Sequence, residues 1–374
     1  MSVADRPSKF SPCSPKIHQI KWDTSLQNPA TRKLVNESHA IFLTLQKIAT
    51  EVKDNALKEQ LVKISRRYRS VLSACVENLQ NDADSAHDGE IKNEYILQSE
   101  LFYKLELIWN LCEILFIDIK PGGVILCQLL EWIRLHFTEG DRKMEVVLEQ
   151  ENPWEQQEAW DAVFCFVFQG RTEDARKLLQ THPNSSRDDF SSMDELLRKM
   201  PFYQSVTTCS LTEFKLRWHH WQDECVRRLQ DGEFAAVDGL EATCKILCGD
   251  WEMFQELSEL CETWYHLMVS RLLYTDPTVK AHDLFSIAQE CTTMFDSVNQ
   301  MTHLDNTLLA AMEFDLQQVI RECGLYLDSW WFVAHLTDLL HHGGQLDLQQ
   351  LSYSKNLREF QLIDYASSLM THQR

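Results

Sequence analysis

The spacing of the apolar residues constrains the fold of this chain more than any other feature. From about residue 31 to the end, apolar side chains recur every three or four positions with few interruptions. This period is typical of amphipathic α-helices. The first two apolar faces, which predict the two arms of a helical hairpin, are formed by Leu34, Ile41, Phe42, Leu45 and Ile48 and by Leu61, Ile64, Tyr68, Val71 and Leu72.

The rest of the chain is predicted to be helical as well. Between or at the ends of the periodic segments, where they disturb helices least, lie Pro121, Gly122, Gly123, Gly140, Pro153, Gly170, Pro183, Pro201, Gly249, Pro277, Gly343 and Gly344. The polar stretch from Asn81 to Glu90 has no apolar residue except alanine and predicts a solvated loop after the hairpin. The further predicted helices are 93–118, 123–138, 155–169, 171–181, 191–200, 211–230, 234–248, 251–274, 278–296, 304–323, 329–342 and 355–370.

The number of helices predicts a stack rather than one bundle. A chain of 374 residues exceeds the usual size of a single core, and short links force consecutive helices to pack antiparallel. Because no fixed repeat is visible, we expect an all-α fold, an irregular α-solenoid of stacked antiparallel helices. Within it, Gly170 is expected to permit a tight turn, and Ala175 a close approach of the two helices around it.

The first thirty residues differ from the rest. They carry four prolines and little periodicity, so residues 1–30 are predicted to be an irregular tail before a solenoid domain at 31–374. Only Lys16 to Trp22 is strand-like, because Ile20 and Trp22 stand two positions apart. A short N-terminal extended segment is therefore expected.

Charge disfavours direct binding of nucleic acid. The formal net charge is −20 and the pI is about 5.1, so phosphate backbones would be repelled. The basic residues Lys63, Arg66, Arg67 and Arg69 spread over more than one helix face. They are interpreted as a solvated helix surface.

The cysteines and the apolar stretches indicate an intracellular chain that does not span a membrane. Twelve cysteines are scattered singly, and no secretory leader is recognisable. The most apolar stretch, Ile108 to Ile119, contains Asn110, Glu113 and Asp118 and is too short and too polar to span a bilayer. Any membrane contact is expected to be indirect.

The motifs of common catalytic sites are absent from the sequence. It has no phosphate-binding glycine loop, HExxH, GxSxG or CxxC. We therefore predict no catalytic residues, no cofactor and no metal. The candidate zinc ligands lack the tight paired spacing of structural sites, which favours ordinary buried cysteines and exposed histidines; they are His219, His220, Cys225, Cys244, Cys248 and Cys261.

The tryptophans are predicted to lie mainly between helices, with partner-binding anchors as the less favoured interpretation. Trp330 and Trp331 point about 100 degrees apart on a helix, so burying both needs a wide covered face. His341 and His342 precede Gly343 and are expected to cap a helix C-terminus. The ten helical tryptophans are Trp109, Trp132, Trp154, Trp160, Trp218, Trp221, Trp251, Trp264, Trp330 and Trp331.

Several segments, in order from about residue 32 to the end, form a recognisable pattern. They are Asn36 to His39 with Ile41 to Leu43, ELIWNLCEILF at 106–116, Trp264 to His266, Arg271 to Tyr274, Pro277 to Lys280, LLAAMEFD at 308–315, SWWFVAHLTDLL at 329–340, Arg358 to Phe360 and Tyr365 to Ser367. Together these segments resemble the nucleoporin-85 family. The resemblance implies a coat-nucleoporin solenoid whose helices extend outward, fold back into a crown and return along a trunk.

The resemblance implies a non-enzymatic scaffold of the nuclear pore complex at the nuclear envelope, in the Y-shaped outer-ring coat. There it would support pore assembly and the transport of messenger RNA and protein. The implied partners are other Y-complex nucleoporins and a Seh-type WD-repeat β-propeller, whose open sheet is completed by strands from the nucleoporin N-terminus. That N-terminal segment is shorter here, and its candidate partner-binding residues are Ile17, Ile20 and Trp22.

Two other functions remain open at this point. A vesicle-coat or tethering adaptor would share the solenoid but bind coat partners, and an enzyme would need a polar cleft with shifted pKa values. The chain also ends at Arg374, within the expected trunk. Because returning helices would be missing, Trp331, Leu336, Leu339 or Phe360 is expected to be unusually exposed.

Overall fold

The structure is a computed structural model, and it describes residues 29–52, 55–118, 123–203, 210–296, 301–327, 329–348 and 354–370. Within these ranges all regular structure is helical, so the all-α prediction is confirmed. The helices are α1 (Pro29–Glu51), α2 (Asn55–Ser85), α3 (Gly89–Cys112), α4 (Leu126–His136), α5 (Glu139–Glu149), α6 (Gln157–Phe168), α7 (Thr172–Leu179), α8 (Asp188–Lys199), α9 (Leu211–Gln230), α10 (Asp238–Leu247), α11 (Trp251–Glu256), α12 (Trp264–Thr275), α13 (Leu284–Asp296), α14 (His303–Met312), α15 (Leu316–Leu325), α16 (Trp330–His342), α17 (Gln345–Leu348) and α18 (Ser354–Met370). A π-helical turn at Glu113–Ile117 extends α3.

The predicted hairpin is formed by α1 and α2, whose apolar faces pack together. The predicted loop at 81–90 is wrong, because α2 extends to Ser85 and α3 begins at Gly89. Leu79 and Ala83, one turn apart, are both buried and continue the apolar face of α2. Asp88 then caps α3, its side chain accepting from the Glu90 amide.

The helices follow an outward and a returning path. Helices α1 to α6 lead outward, α7 to α11 form the far end, and α12 to α18 return. The contacts between the two halves follow reverse order: α12 packs on α4 and α6, α14 on α3, and α16 on α1. The second half of the chain therefore covers the first half, and the last helices lie beside the first.

A tight turn between α6 and α7 helps to fix the far end. Gly170 has a φ of 63°, a left-handed conformation that favours glycine. A Cβ there would lie 2.8 Å from Leu273 Cδ2 of α12. Ala175 is fully buried, and Arg134 donates to the carbonyl oxygens of Gln169 and Gly170 at the end of α6. The tight turn predicted at Gly170 is confirmed.

The predicted set of helices differs from the structure in four places. Helices α5 and α17 were not predicted, and each of the segments 251–274 and 304–323 contains two α-helices instead of one. Thr263 caps α12 by accepting from the His266 amide, and Asp315 caps α15 by accepting from the Gln318 amide. Phe314, with a φ of 64°, ends the continuous helical path between α14 and α15.

Most of the tryptophans lie between helices, as predicted. Trp331 is buried and Trp330 half-buried, so the two neighbours are not equally covered. Trp154, Trp160 and Trp251 are also half-buried. The buried ones are Trp109, Trp132, Trp218, Trp221, Trp264 and Trp331.

Candidate functional site

The predicted partner-binding residues Ile17, Ile20 and Trp22 lie outside the described residues. The structure therefore neither brings them together nor separates them. The sites that follow belong to the helical part of the chain.

The candidate zinc ligands have ordinary structural environments. Cys225 and Cys244 are buried, and the Cys244 thiol donates to the Cys225 carbonyl oxygen at 3.5 Å. His219 and His220 are exposed on α9. Across the described ranges, no three histidine, cysteine or acidic side chains cluster so that they could hold a metal ion.

None of the helices that the structure describes combines the length and the apolar character needed to cross a membrane.

Polar and aromatic groups converge where α16 is enclosed by α1, α2, α3 and α18. We call this region the junction and define it by Ser38, Gln46, Tyr68, Trp109, Trp331, His335, Asp338 and Arg358. Its hydrogen bonds join residues as far as 312 positions apart in the sequence. Parts of four segments that carry the family resemblance meet here.

Trp331 forms the centre of the aromatic side of the junction. Its Nε1 donates to Ser38 Oγ at 3.0 Å, and Ser38 in turn donates to the Leu34 carbonyl oxygen. The ring centroid of Trp331 lies 5.9 Å from that of Trp109. The indole N–H of Trp331 on α16 is thus hydrogen-bonded to α1, and its apolar ring packs on α3.

A buried carboxylate fixes the orientation of Trp109. The Trp109 Nε1 donates to Ser65 Oγ at 3.0 Å, and Ser65 donates to Glu113 Oε2 at 2.7 Å. Arg69 donates to the other oxygen of Glu113 at 3.2 Å. Burial raises the pKa of Glu113, whereas Arg69 and Ser65 act to lower it. This chain of bonds holds α2 against α3 and sets the surface on which α16 packs.

His335 contributes a neutral ring to the junction. Its Nδ1 lies 2.7 Å from the Trp331 carbonyl oxygen, so this nitrogen carries the hydrogen. The ring makes edge contacts with Tyr68 at 5.1 Å and Tyr365 at 4.9 Å. Burial lowers the pKa of His335 to about 4. At neutral pH the imidazole is therefore uncharged and packs as an aromatic side chain.

Asp338 is the polar centre of the junction and is fully buried. Gln46 Nε2 of α1 donates to Oδ2 at 2.6 Å, and Arg358 Nε of α18 donates to Oδ1 at 2.6 Å. His342 Nε2 lies 3.4 Å from Oδ1. Burial acts to raise the pKa of Asp338, but His342 and Arg358 outweigh it and lower the pKa. One carboxylate thus connects α1, α16 and α18.

Most of the residues that were expected to be exposed on the returning helices are buried. Trp331, Leu336 and Leu339 are buried, so the prediction is wrong for them. The reason is that α1, α2 and α3 already cover α16. Phe360 on α18 is 61% exposed, as predicted. The predicted capping role of His342 is replaced by its contact with Asp338.

Sequence reasoning missed Gln46 and Asp338 as parts of one site. A signal was present for Asp338, because an acidic residue inside the apolar segment 329–340 requires a partner when the helix is buried. No comparable signal was available for Gln46, which lies between the apolar residues Leu45 and Ile48 of α1 and is 292 positions away from its partner.

Comparison with known proteins gives a consistent result. The family model described as Nup85 Nucleoporin matches residues 16–374. The chain is 46% identical to nuclear pore complex protein Nup85 of Danio rerio over 363 residues, which are 96% of this chain and 56% of that protein. It is 44% identical to the Nup85 of Homo sapiens over 369 residues, 98% of this chain and 56% of that protein. It is 28% identical to nuclear pore complex protein Nup75 of Drosophila melanogaster over 272 residues, 72% of this chain and 40% of that protein. The chain thus spans about half the length of the curated Nup85 relatives.

Proposed function

The chain belongs to the Nup85 nucleoporin family, and from this we infer that it is a structural scaffold component of the nuclear pore complex. Its place is the Y-shaped outer-ring coat at the nuclear envelope, where it supports pore assembly and the transport of messenger RNA and protein. The observation that carries the proposal is the family match over residues 16–374, together with high identity to vertebrate Nup85 proteins.

The fold supports a scaffold role. The returning helices cover the outgoing ones, and the junction ties the last helices to the first. The buried carboxylate of the junction, Asp338, and the neighbouring buried carboxylate Glu113 accept hydrogen bonds from other side chains of the chain. Their shifted pKa values thus arise inside packed helices, not in a cleft open to a substrate. We therefore propose that the chain works through protein contacts and without catalysis.

We propose two regions with different tasks. Residues 1–30 form a tail that contacts a partner, and residues 31–374 form the solenoid. In the solenoid, the far end built by α7 to α11 corresponds to the crown, and the paired outgoing and returning helices correspond to part of the trunk.

The proposed partners are other Y-complex nucleoporins and, in contact with the tail, a Seh-type WD-repeat β-propeller. An exposed sheet edge leaves backbone groups unpaired, and an added strand satisfies them. Ile17, Ile20 and Trp22 would then supply the side chains that select this partner.

Co-purification of the chain with a Seh-type propeller tests this proposal. The intact chain should retain the propeller, and a chain without residues 1–30 should not. A triple variant with Ile17, Ile20 and Trp22 changed to serine should behave like the deletion. The matched control changes Val3 and Phe10 to serine, which removes apolar side chains from the tail outside the strand-like segment.

Each result has a definite meaning. If the triple variant and the control lose propeller binding equally, the assignment of these three residues as the partner-binding residues is wrong. Failure of the intact chain to bind the propeller would contradict the partner assignment. Retention of a vesicle-coat protein in place of nucleoporins would favour the adaptor function.

A further inference from the structure

A groove at the far end of the molecule combines aromatic and acidic side chains that the proposed scaffold role does not explain. It lies between α6, α10 and α11 and has a volume of about 650 Å³. Trp154 and Trp160 line it, with ring centroids 5.2 Å apart and an angle of 72° between the planes. We call it the tryptophan groove and define it by Trp154, Trp160, Glu155, Asp238, Glu241 and Glu256.

The two indole rings are held in place from behind. A Cβ at Gly239 would lie 2.2 Å from the Trp160 ring, so the glycine allows the first turn of α10 to contact that ring directly. Trp154 Nε1 donates to Thr181 Oγ1 at 3.1 Å. Both tryptophans nevertheless stay half-buried. The two indole side chains are therefore already fixed, and a ligand that binds to them does not have to immobilise them first.

The groove is also strongly acidic. Four carboxylates line it, and the cation among the lining residues, Lys245, lies 2.7 Å from Glu241. Among the described residues, no basic side chain forms an ion pair with Glu155, Asp238 or Glu256. Glu241 and, more weakly, Glu256 raise the pKa of Lys245. With four carboxylates and one lysine in its lining, the groove keeps a net charge of three negative units.

Aromatic surface beside uncompensated carboxylates suits a cationic ligand. Indole is the aromatic ring that attracts cations best, and arginine stacks on such rings while its guanidinium bonds to carboxylates. A contact of this kind occurs outside the groove, where Arg271 of α12 lies 4.3 Å from the ring centroid of Trp251 at the start of α11. Nucleic acid is a poor candidate, since its phosphates would meet three negative charges.

We propose that the tryptophan groove binds a basic segment of a partner protein. An arginine of that segment lies against Trp154 or Trp160 and pairs with Glu155 or Glu256. This docking site is separate from the tail that is proposed to contact the propeller and from the junction. It gives the far end of the scaffold its own partner.

Binding of a labelled peptide to the full chain tests the proposal. The probe is a short glycine–serine peptide with two arginines, followed by fluorescence anisotropy. Its matched partner carries citrulline, which has nearly the same shape without the charge. We expect the arginine peptide to bind and the citrulline peptide to bind at least about fivefold more weakly, from the loss of two exposed charge pairs and one ring contact.

Two charge-matched variants locate the site. The double variant Glu155→Gln with Glu256→Gln should weaken the arginine peptide about fivefold. The control Glu94→Gln with Glu100→Gln makes the same change of charge on exposed positions of α3 and should change binding less than about twofold. Trp154→Leu should weaken binding about threefold with an unchanged helical circular dichroism spectrum.

The proposal fails if the two double variants weaken the peptide equally, because the attraction would then come from the net charge of the whole chain. It also fails if the arginine and citrulline peptides bind alike. Neither result depends on a Seh-type propeller, so failure here is distinguishable from failure of the proposed scaffold function.

Discussion

Removal of the Arg358 guanidinium should destabilise the junction by leaving a buried charge with fewer partners. Arg358→Met keeps most of the length of the side chain and removes the donor to Asp338. The Asp338 carboxylate is fully buried, whereas Arg358 is 22% exposed. We therefore expect the cost to come mainly from the carboxylate that remains.

The expected size follows from the contacts that persist. Removing one partner of a fully buried ion pair costs about 3–5 kcal/mol. Here the aspartate keeps its hydrogen bond from Gln46 and its contact with His342, and the arginine is partly screened by water. We expect a loss of about 2 kcal/mol in the free energy of unfolding at pH 7.

Urea unfolding followed by circular dichroism measures this loss, and a double-mutant cycle isolates the pair. Asp338→Asn removes the charge that Arg358→Met leaves unpaired, so the double variant should be about 1–2 kcal/mol more stable than the sum of the single effects predicts. The control is Arg217→Met, because Arg217 pairs with Glu213 on an exposed face of α9. It should cost less than about 0.5 kcal/mol. Equal losses of stability at positions 358 and 217, or strictly additive effects in the cycle, would show that the buried carboxylate of Asp338 does not depend on Arg358.

Three further changes have defined outcomes. Gly170→Ala should lower the free energy of unfolding in urea by about 2 kcal/mol, because the new methyl group would clash with α12 and the left-handed backbone already disfavours alanine. Gly232 also has a positive φ but has open space around it, so Gly232→Ala should cost about 1 kcal/mol. Burial lowers the pKa of His266 to about 4, below its unfolded value near 6.5. The neutral imidazole therefore contributes stability above pH 6.5, and this contribution is lost as the pH falls towards 4. Between pH 7 and pH 5, the variant His266→Phe should accordingly lose less stability than the wild type. Trp331→Phe removes the bond to Ser38 and part of a buried ring, and it should lower the free energy of unfolding by about 2 kcal/mol, as measured by the urea midpoint.

Local features of the fold could be predicted from the sequence because their causes are local. The face formed by Leu34, Ile41 and Leu45 needs only a neighbouring helix, which the next segment supplies. The turn at Gly170 likewise follows from the backbone freedom of one residue.

Helix ends inside apolar stretches were harder to predict. Thr263 and Asp315 interrupt segments whose apolar period continues on both sides, so periodicity alone joined two helices into one. Their capping bonds become visible only when the backbone amides that they accept from are known. The opposite error occurred around Ala83, where a helical segment was predicted to be a loop because its sequence is polar. The small buried side chain of Ala83 is enough to continue the apolar face of α2.

The junction could not be predicted, because it depends on which faces meet after the chain has folded back. Asp338 signalled that a partner was needed, but nothing in the sequence identified Gln46 as that partner. The expected exposure of Trp331 failed for the same reason, since its cover comes from helices at the start of the chain.

The meeting of α16 with α1 is tested most directly by photo-crosslinking from position 42. The ring of Phe42 lies 6.0 Å from that of His335, so benzoylphenylalanine in place of Phe42 is within reach of α16. Irradiation of the dilute monomer, followed by mass spectrometry, should yield an intramolecular crosslink to a peptide containing residues 329–342. Crosslinks confined to α2, or found only between two molecules, would show that the last helices do not close on the first.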